Sequence, residues 1–224
     1  MCTRAYHTYT AEELFFRYLN RQPIRDFLLD PNYNMAPTHQ APIVAVRGGE
    51  RVIELMRFGL VPPWEPDFST KLTTFNARAE TVFTSKIYRG PIRQRRCILP
   101  LSGFIEWQKG SQPRRPYRFA RKDEPFLSVA AIWEAWHAGS PDERHSFAAI
   151  TTGPNKTLLP IHDRMPVLLD RAEEEKWLST ETPDADIAEL LKPCPDAWLE
   201  AVELETAINN VRNNSAELLK PKAP

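Results

Sequence analysis

The sequence predicts an α+β fold: a single domain in which short helices flank a curved, mostly antiparallel β-sheet or barrel. First, many short strand-like runs alternate with turn residues. Second, 21 prolines are scattered along the 224 residues, which keeps helices short. Third, 42% of the residues are hydrophobic, which is enough for one sizeable core. We expect one domain over residues 1–224, in which the C-terminal tail from about residue 213 is a candidate for disorder.

The segment "TAEELFFRYL" predicts the first helix. Thr10 and Glu13 have the spacing of a capping box, in which each side chain satisfies a backbone N–H of the other residue. Leu14, Phe15 and Tyr18 then share one face of the helix. Further short helices are expected at about residues 79–86, 171–179 and 184–191.

The strands are predicted from alternating or continuous apolar runs. "PIVAVRGGERVIELMRF" predicts a hairpin that turns at Gly48 and Gly49. Four more strands are expected in "RCILPLSGFIEWQ", "YRFARK", "FLSVAAIW" and "HSFAAITT", and a last one in "AWLEAVEL".

Positive and negative charges balance, at 29 residues each. A neutral chain does not coat nucleic acid or a membrane through bulk charge. The middle of the chain is nevertheless basic, and residues 173–205 are mainly acidic. A solvated surface is the ordinary explanation for such runs, but an arginine-rich stretch also predicts phosphate contacts. The basic residues between Glu80 and Glu106 are Lys86, Arg89, Arg93, Arg95 and Arg96.

The three cysteines, Cys2, Cys97 and Cys194, are widely spaced, and none forms a CxxC pair. This pattern argues against a disulfide framework and against a zinc site. We expect no metal and no cofactor. No apolar run approaches the length of a membrane span, and no signal peptide precedes Cys2. The expected protein is therefore soluble and cytoplasmic, with no membrane partner. We also expect a monomer, although the sequence does not give the oligomeric state.

Three polar residues in strand or turn context are candidates for chemistry. Glu106 ends an apolar stretch, where a carboxylate is either paired in a salt bridge or desolvated. His162 follows a predicted turn in "IHDRMP", although a single histidine is more often structural. Asn76 shares one side of an extended segment with Arg78, but it could equally cap the helix expected at 79–86.

Removal of Met1 would give Cys2 a free amine beside its thiol. The reference pKa values are about 7.7–8.0 for the amine and about 8.5 for the thiol, so both supply nucleophiles near neutrality. The amine can condense with an aldehyde to an imine, and the thiol can then close a five-membered thiazolidine. Because both groups belong to one residue, the second step is intramolecular and accelerated. A protein built around this group is expected to take an aldehyde.

Seven motifs occur in an order that resembles the SOS response-associated peptidase (SRAP) family over most of the chain. They are "MC.R", "YNMAPT", "FNARAET", "RCILPLSGFIEW", "AAIWE", "ITT" and "IHDRMPVLL". The resemblance implies a sensor of abasic sites in single-stranded DNA. It implies a covalent, reversible thiazolidine crosslink through Cys2, and recruitment to the nucleoid after DNA damage. The ring-opened abasic sugar is the expected aldehyde.

The resemblance also implies roles for individual residues. Cys2 would form the crosslink, and Asn76 would hold the sugar or orient the amine. Glu106 would transfer protons in imine formation and sugar ring opening, and His162 would stabilise ring-opened intermediates and assist reversal. Phosphate contacts are implied for Arg4, Arg78 and Arg164. Trp107 is a candidate for base stacking, although neighbours on a regular strand face opposite ways, so Glu106 and Trp107 share a site only where the strand ends or bulges.

The sequence departs from the family at Thr3, where glycine is usual, at Ile105, where tyrosine is common, and at Phe58, where tryptophan is common. None of these changes removes a reactive group. Two other functions stay open. Cys2 and His162 could be the nucleophile and base of an N-terminal-cysteine hydrolase, a peptidase or an amidohydrolase. For the crosslinking protein itself, a peptidase-type or lyase-type assignment is open. Alternatively, the protein could read damaged DNA without a covalent bond.

Overall fold

The computed structural model describes residues 3–24 and 27–223. Cys2, the expected crosslinking residue, lies outside the described residues. The described strands are β1 (Arg4–His7), β2 (Asn32–Met35), β3 (Gln40–Arg47), β4 (Glu50–Phe58), β5 (Asn76–Arg78), β6 (Arg96–Leu101), β7 (Gly103–Trp107), β8 (Pro116–Arg121), β9 (Leu127–Trp136), β10 (Arg144–Thr152), β11 (Met165–Pro166), β12 (Leu168–Leu169) and β13 (Leu199–Glu203). The helices are α1 (Ala11–Leu19), α2 (Pro91–Gln94), α3 (Arg171–Leu178) and α4 (Asp184–Leu190), with 3-10 turns at Asp196–Trp198, Thr206–Asn209 and Ala216–Leu219.

Five strands close a barrel in the order β10–β4–β3–β6–β9 and back to β10. Within this ring, β10 and β4 are parallel and the other neighbours are antiparallel. The short strands β5 and β11 extend the sheet along β10, and β12 pairs with β9. A second, antiparallel sheet has the order β13–β8–β7–β1–β2. The fold class predicted from the sequence is confirmed.

The alternation of side chains along the strands divides the core into layers. Phe147 and Ala149 of β10 point to a cluster that also contains Phe104 and Phe119 of the second sheet. Ala148 and Ile150 point the other way, towards the helices. The barrel is therefore buried on both sides, and each fully buried Phe or Ile stabilises the fold by about 1.5–3 kcal/mol.

The helix α1 forms as its sequence predicts. The Thr10 hydroxyl accepts a hydrogen bond from the Glu13 N–H at 3.2 Å, and the Glu13 carboxylate accepts one from the Thr10 N–H at 2.8 Å. Its buried face packs on the barrel, and Arg17 forms an ion pair of 2.5 Å with the buried Glu174 of α3. With nine residues, α1 is the longest of the described helices, and none in residues 3–24 and 27–223 is long and apolar enough to cross a bilayer.

Two predicted elements are wrong. Residues 79–86 form consecutive turns, closed by bonds such as Thr84 N–H to Thr81 O at 3.1 Å, and the expected helix is absent. β-Branched Thr81, Val82 and Thr84 disfavour a helix at this point. The stretch "RCILPLSGFIEWQ" is also two strands, because β6 belongs to the barrel and β7 to the second sheet.

Gly103 allows the chain to pass from the barrel to the second sheet. A Cβ atom at this position would lie 2.3 Å from the Tyr6 hydroxyl oxygen and 2.5 Å from the Phe119 carbonyl oxygen. No side chain fits there without displacing one of them. The glycine thus allows β7 to lie against β1, which brings Glu106 to the same end of the sheet as Thr3 and Arg4.

The C-terminal segment, residues 204–223, covers the outer face of the second sheet. Ile208 and Leu218 are buried against Tyr6 and Ile105. Leu204 forms an isolated antiparallel bridge with Pro221. This segment therefore forms one side of the structure around Arg4.

Candidate functional site

A cavity of about 690 Å³ lies beside the predicted site residues, where β1 and β7 end. We call it the Glu106 cavity. Its lining is polar and combines residues from both ends of the chain with one long loop. The lining residues are Thr3, Arg4, Glu106, Trp107, Gln108, Lys109, Gly110, Ser111, Gln112, Arg114, His162 and Asn209.

Glu106 and His162 meet in this cavity. Glu106 is almost completely buried, with 2% of the residue exposed. Its Oε2 atom lies 3.8 Å from Nε2 of His162, whose side chain is 12% exposed. The sequence singled out these residues separately, and the fold brings them together as a carboxylate–imidazole pair.

A turn at the end of the 153–162 loop fixes the imidazole of His162. The His162 N–H donates to Leu158 O at 2.9 Å, and Asn155 Oδ1 accepts from the Leu158 N–H at 3.0 Å. On the ring, Nδ1 lies 3.1 Å from the Arg164 nitrogen and 3.2 Å from the Arg164 oxygen. Because Nδ1 can accept from one group or donate to the other, either neutral tautomer is anchored.

Burial lowers the pKa of His162 below the ordinary value for histidine. The imidazole is therefore neutral at neutral pH. A neutral imidazole anchored in either tautomer can present Nε2 as a proton donor or as a proton acceptor. This is the property that general acid–base chemistry needs in both directions of a reaction.

Glu106 and Trp107 share the cavity because β7 ends at Trp107. Along the strand, Phe104 faces the barrel core and Ile105 faces the C-terminal segment, so Glu106 and Trp107 leave it on opposite sides. Trp107 Nε1 donates to Asn209 Oδ1 at 2.6 Å, which fixes the indole. Neighbouring residues on a regular strand face opposite ways, but both can reach the cavity here because the strand ends.

Arg4 is a half-buried part of the cavity wall. Its Nη1 donates to Asn34 Oδ1 at 2.6 Å and to Ile208 O at 3.1 Å. The guanidinium carbon lies 5.7 Å from the centre of the Trp107 ring, which is within the range of a cation–π contact. Its predicted phosphate contact would have to use its other N–H groups.

Asn34 connects this wall to the C-terminal segment. It is 1% exposed, and its Nδ2 lies within 3.2 Å of three carbonyl oxygens, those of Ile208, Asn210 and Asn213. One buried amide thus holds Arg4 through its oxygen and the C-terminal segment through its nitrogen. The motif "YNMAPT" contains Asn34, but its spacing gave no indication of this role.

Asn76 and Arg78 lie on β5, and neither is among the described residues that line the Glu106 cavity. Asn76 is 8% exposed and pairs in parallel with Ala149, whose side of the sheet is the barrel core. Ala149 and Arg4 both line a smaller cavity of about 20 Å³. Asn76 thus faces the same interior that β1 closes, whereas Arg78 is exposed.

Arg164 links the His162 loop to the segment that follows Asn76. Its guanidinium forms two bonds with Glu80, of 2.6 and 3.0 Å, and donates to Thr151 O at 2.6 Å. The hydrogen bond from Arg164 lowers the pKa of Glu80. In this arrangement Arg164 joins two of the motifs, and a phosphate would have to share it with Glu80.

The basic stretch divides into structural and available cations. Arg96 is buried and donates to Trp177 O at 2.7 Å, while Arg93 pairs with Asp184 at 2.7 Å and Arg95 with Glu134 at 2.8 Å. Lys86 instead lies 5.4 Å from the ring centre of Trp64, which is 54% exposed. With Arg89 they line an open groove of about 400 Å³, the Trp64 groove.

Sequence reasoning missed several residues of the site. The 108–114 loop follows Trp107 directly, but its glycine, proline and polar residues are typical of any turn. Asn209 lies a hundred residues from Trp107, and only the fold brings the two together. Trp64 stands in the "PPWEP" segment, and a tryptophan between prolines was the sequence signal that could have predicted an exposed indole.

The chain was compared with protein families and known proteins. The family model described as SOS response associated peptidase (SRAP) matches residues 1–211. Abasic site processing protein YoaM from Bacillus subtilis is 35% identical over 193 residues, which cover 84% of each chain. Abasic site processing protein HMCES from Xenopus tropicalis is 31% identical over 221 residues, and the match covers 84% of this chain and 65% of that protein.

The fold agrees with solved structures. A crystal structure of a protein from Bacteroides thetaiotaomicron has a TM-score of 0.87 at 29% identity and covers 99% of this chain and 100% of that one. A protein from Bordetella bronchiseptica, at 22% identity, shares the fold with a TM-score of 0.77, over 91% of this chain and 100% of that one. Because the family model spans residues 1–211, the chain belongs to the SOS response-associated peptidase (SRAP) family.

Proposed function

We propose that this protein captures abasic sites in single-stranded DNA as a reversible thiazolidine crosslink on Cys2. The observation that carries the proposal is the buried Glu106–His162 pair, which shares a cavity with Thr3. One peptide link separates Thr3 from Cys2. The relatives YoaM and HMCES are named as abasic site processing proteins, which agrees with this substrate.

The proposed reaction needs no redox change. The Cys2 amine attacks the aldehyde carbon of the ring-opened sugar, and loss of one water gives an imine. The Cys2 sulfur then adds to the imine carbon, and its proton passes to the nitrogen, which leaves a thiazolidine. Reversal breaks the carbon–sulfur bond first and then hydrolyses the imine.

Glu106 and His162 would move the protons of these steps. Oxygen leaves the sugar carbon as water, so a proton donor is required, and the incoming amine must lose a proton. A carboxylate and a neutral imidazole 3.8 Å apart can serve these two needs from one position. Asn76, which faces the barrel interior that β1 closes, would hold the sugar.

The other cysteines support the assignment to Cys2. Cys97 and Cys194 are both buried. Burial raises the pKa of the Cys97 thiol well above its ordinary value, and it raises that of Cys194 to about 12. Thiols of this kind are poor nucleophiles at neutral pH, because the thiolate is the reactive form.

The Trp64 groove is suited to a single strand. An exposed indole offers a stacking surface that any base can use, and Lys86 and Arg89 offer charges for the backbone. Arg78, the last residue of β5, is a further exposed cation. A stacked duplex would keep its sugars away from a recessed site, so single strands should be preferred.

The test uses one polypeptide in two forms. A removable N-terminal tag is fused directly before Cys2 and then cleaved, so that Cys2 becomes the first residue. With a single-stranded oligonucleotide carrying one abasic site, the cleaved form should give a heat-stable adduct and the uncleaved form none. An equal adduct from both forms would contradict the thiazolidine.

Cys2→Ala separates the two alternative functions. A non-covalent reader would lose nothing with this substitution, and our proposal requires that the adduct is lost while salt-sensitive binding to single strands remains. A hydrolase would turn over peptide or amide substrates through Cys2 without keeping a DNA adduct. Turnover of such a substrate with no adduct would favour the hydrolase.

A further inference from the structure

We propose that the outer part of the Glu106 cavity is a subsite for the nucleotide next to the abasic sugar, read by Asn209 and Gln112 and held by Arg114. This inference rests on the proposed function and deepens it. It would give the protein a preference for the base on one side of the lesion.

The cavity is larger than the proposed chemistry needs. Its volume of about 690 Å³ falls in the range that encloses an entire small ligand, whereas the reaction uses one base-less sugar between Glu106 and His162. The remaining space is bounded by Trp107, the 108–114 loop and Asn209. A neighbouring nucleotide, still joined to the sugar, would be delivered to this space.

One wall of this space is rigid. Asn209 Oδ1 accepts the Trp107 Nε1–H at 2.6 Å, and this bond fixes the orientation of both side chains. Asn34 in turn anchors the backbone on both sides of Asn209 through the carbonyl oxygens of Ile208 and Asn210. The Asn209 Nδ2 group has two N–H donors and makes no hydrogen bond within residues 3–24 and 27–223, since Oδ1 is the atom bound to Trp107.

The opposite side offers groups that suit a base edge and a phosphate. Gln112 is exposed, and its amide provides both a donor and an acceptor. Arg114 has no ion pair or hydrogen bond with the rest of the described chain, unlike its neighbour Arg115, which pairs with Glu203. An unpaired guanidinium at a cavity rim can bind a phosphate without first breaking an internal contact.

Lys109 lies on the remaining side of the proposed subsite. Its backbone N–H donates to Ile161 O at 3.1 Å, and its ammonium pairs with Asp163, next to His162. The 108–114 loop is thus attached to the His162 loop, and the subsite and the catalytic pair share one frame. A base bound at the 108–114 loop would therefore affect the position of the abasic sugar next to it.

The test measures adduct formation at limiting protein with single strands that carry one abasic site. In matched strands, a tetrahydrofuran spacer replaces the nucleotide on the 5′ or the 3′ side; this spacer removes the base and has no aldehyde. We expect the spacer to slow the reaction roughly fivefold to a hundredfold on one side only, as expected for loss of one base contact. Asn209→Ala should abolish this difference. Equal rates with the spacer on either side would overturn the subsite.

Arg114→Ala should reduce the slope of log affinity against log salt by about one for the same strands, since one phosphate contact is lost. Arg212→Ala removes an exposed arginine outside the cavity and should leave the slope unchanged. Equal slopes for the two variants would overturn the phosphate contact. If no strand gives an adduct with the parent protein, the proposed function fails. Equilibrium binding of the same strands, measured by fluorescence anisotropy, then decides the subsite separately.

Discussion

Nε2 of His162 lies 3.8 Å from Oε2 of Glu106, although the two residues come from different parts of the fold. Glu106 is the second-last residue of β7 in the second sheet, and His162 follows a turn beyond the barrel strand β10. The short distance depends on the crossing of the chain at Gly103 and on the turn built around Asn155. The pair is therefore a product of tertiary structure, and its separate members can be tested.

Glu106→Gln should slow adduct formation by about 10²–10⁴-fold, because the amide cannot exchange protons. Binding to an undamaged single strand should change little. The measurement is the rate of adduct formation, with Glu200→Gln as the matched control on the same sheet, where Glu200 pairs with Arg118 at 3.4 Å. A parent-like rate for Glu106→Gln would show that the carboxylate only orients His162.

His162→Gln should slow release more than formation, since reopening the thiazolidine requires protonation of a leaving group. The pKa of His162 is lowered by burial, so the imidazolium accumulates only below the ordinary histidine range. In the parent protein, release should therefore accelerate as the pH falls through that lowered pKa. Exchange of a preformed adduct onto a competing abasic strand measures the rate. An unchanged pH profile in His162→Gln would make His162 structural.

Stability should fall in mild acid because of His7. This residue is 2% exposed, and burial lowers its pKa to about 4, compared with about 6.5 for an unfolded histidine. Between these values the unfolded chain binds more protons, so the free energy of unfolding decreases as the pH falls from about 6.5 to 4, by up to about 3 kcal/mol. Denaturant titrations of His7→Phe should show a smaller loss over this range than those of the parent protein. Equal slopes for His7→Phe and the parent would refute this.

Asn34→Ala should lower the free energy of unfolding by about 1–3 kcal/mol, because buried partners lose their hydrogen bonds. It should also expose residues 206–213 to limited proteolysis and weaken single-strand binding through Arg4. A double-mutant cycle with Arg4→Ala measures the coupling for binding. Strictly additive effects would mean that Asn34 does not act through Arg4.

The fold was predictable where local chemistry decides the structure. The capping box of Thr10 and Glu13, the Gly48–Gly49 hairpin and the acidic start of α3 each carry their own signal. The helix expected at 79–86 was wrong because its polar and apolar positions also fit turns, and its β-branched residues disfavour a helix.

The site was predictable as a set of residues and not as an arrangement. Glu106 and His162 stand out by type and setting, but their contact depends on the break between β6 and β7. Nothing in the sequence marks Asn34 or Asn209, because each takes its role in the site only through hydrogen bonds to residues that are distant along the chain. Arg96 shows the opposite case. It belongs to the basic stretch that predicted phosphate contacts, but it is buried and donates to backbone carbonyls.

The reactivity of the three cysteines should differ sharply. With Cys97 and Cys194 buried, brief alkylation of the native protein at neutral pH should modify Cys2 alone. Peptide mass spectrometry before and after unfolding locates the labels, and unfolding should expose all three thiols. Rapid native labelling of Cys97 or Cys194 would remove one reason for assigning the chemistry to Cys2.

The most direct test of the central claim is the intact mass of the protein after incubation with a single strand carrying one abasic site. We expect, without any reductant, a species equal to protein plus oligonucleotide minus one water, with the modification on an N-terminal Cys2. Without reductant, Cys2→Ala should give no stable adduct. Added borohydride should reduce its imine to a secondary amine, which is heavier by two hydrogens than protein plus oligonucleotide minus one water. A stable adduct formed by Cys2→Ala without reductant, or no adduct in the parent protein, would contradict the account.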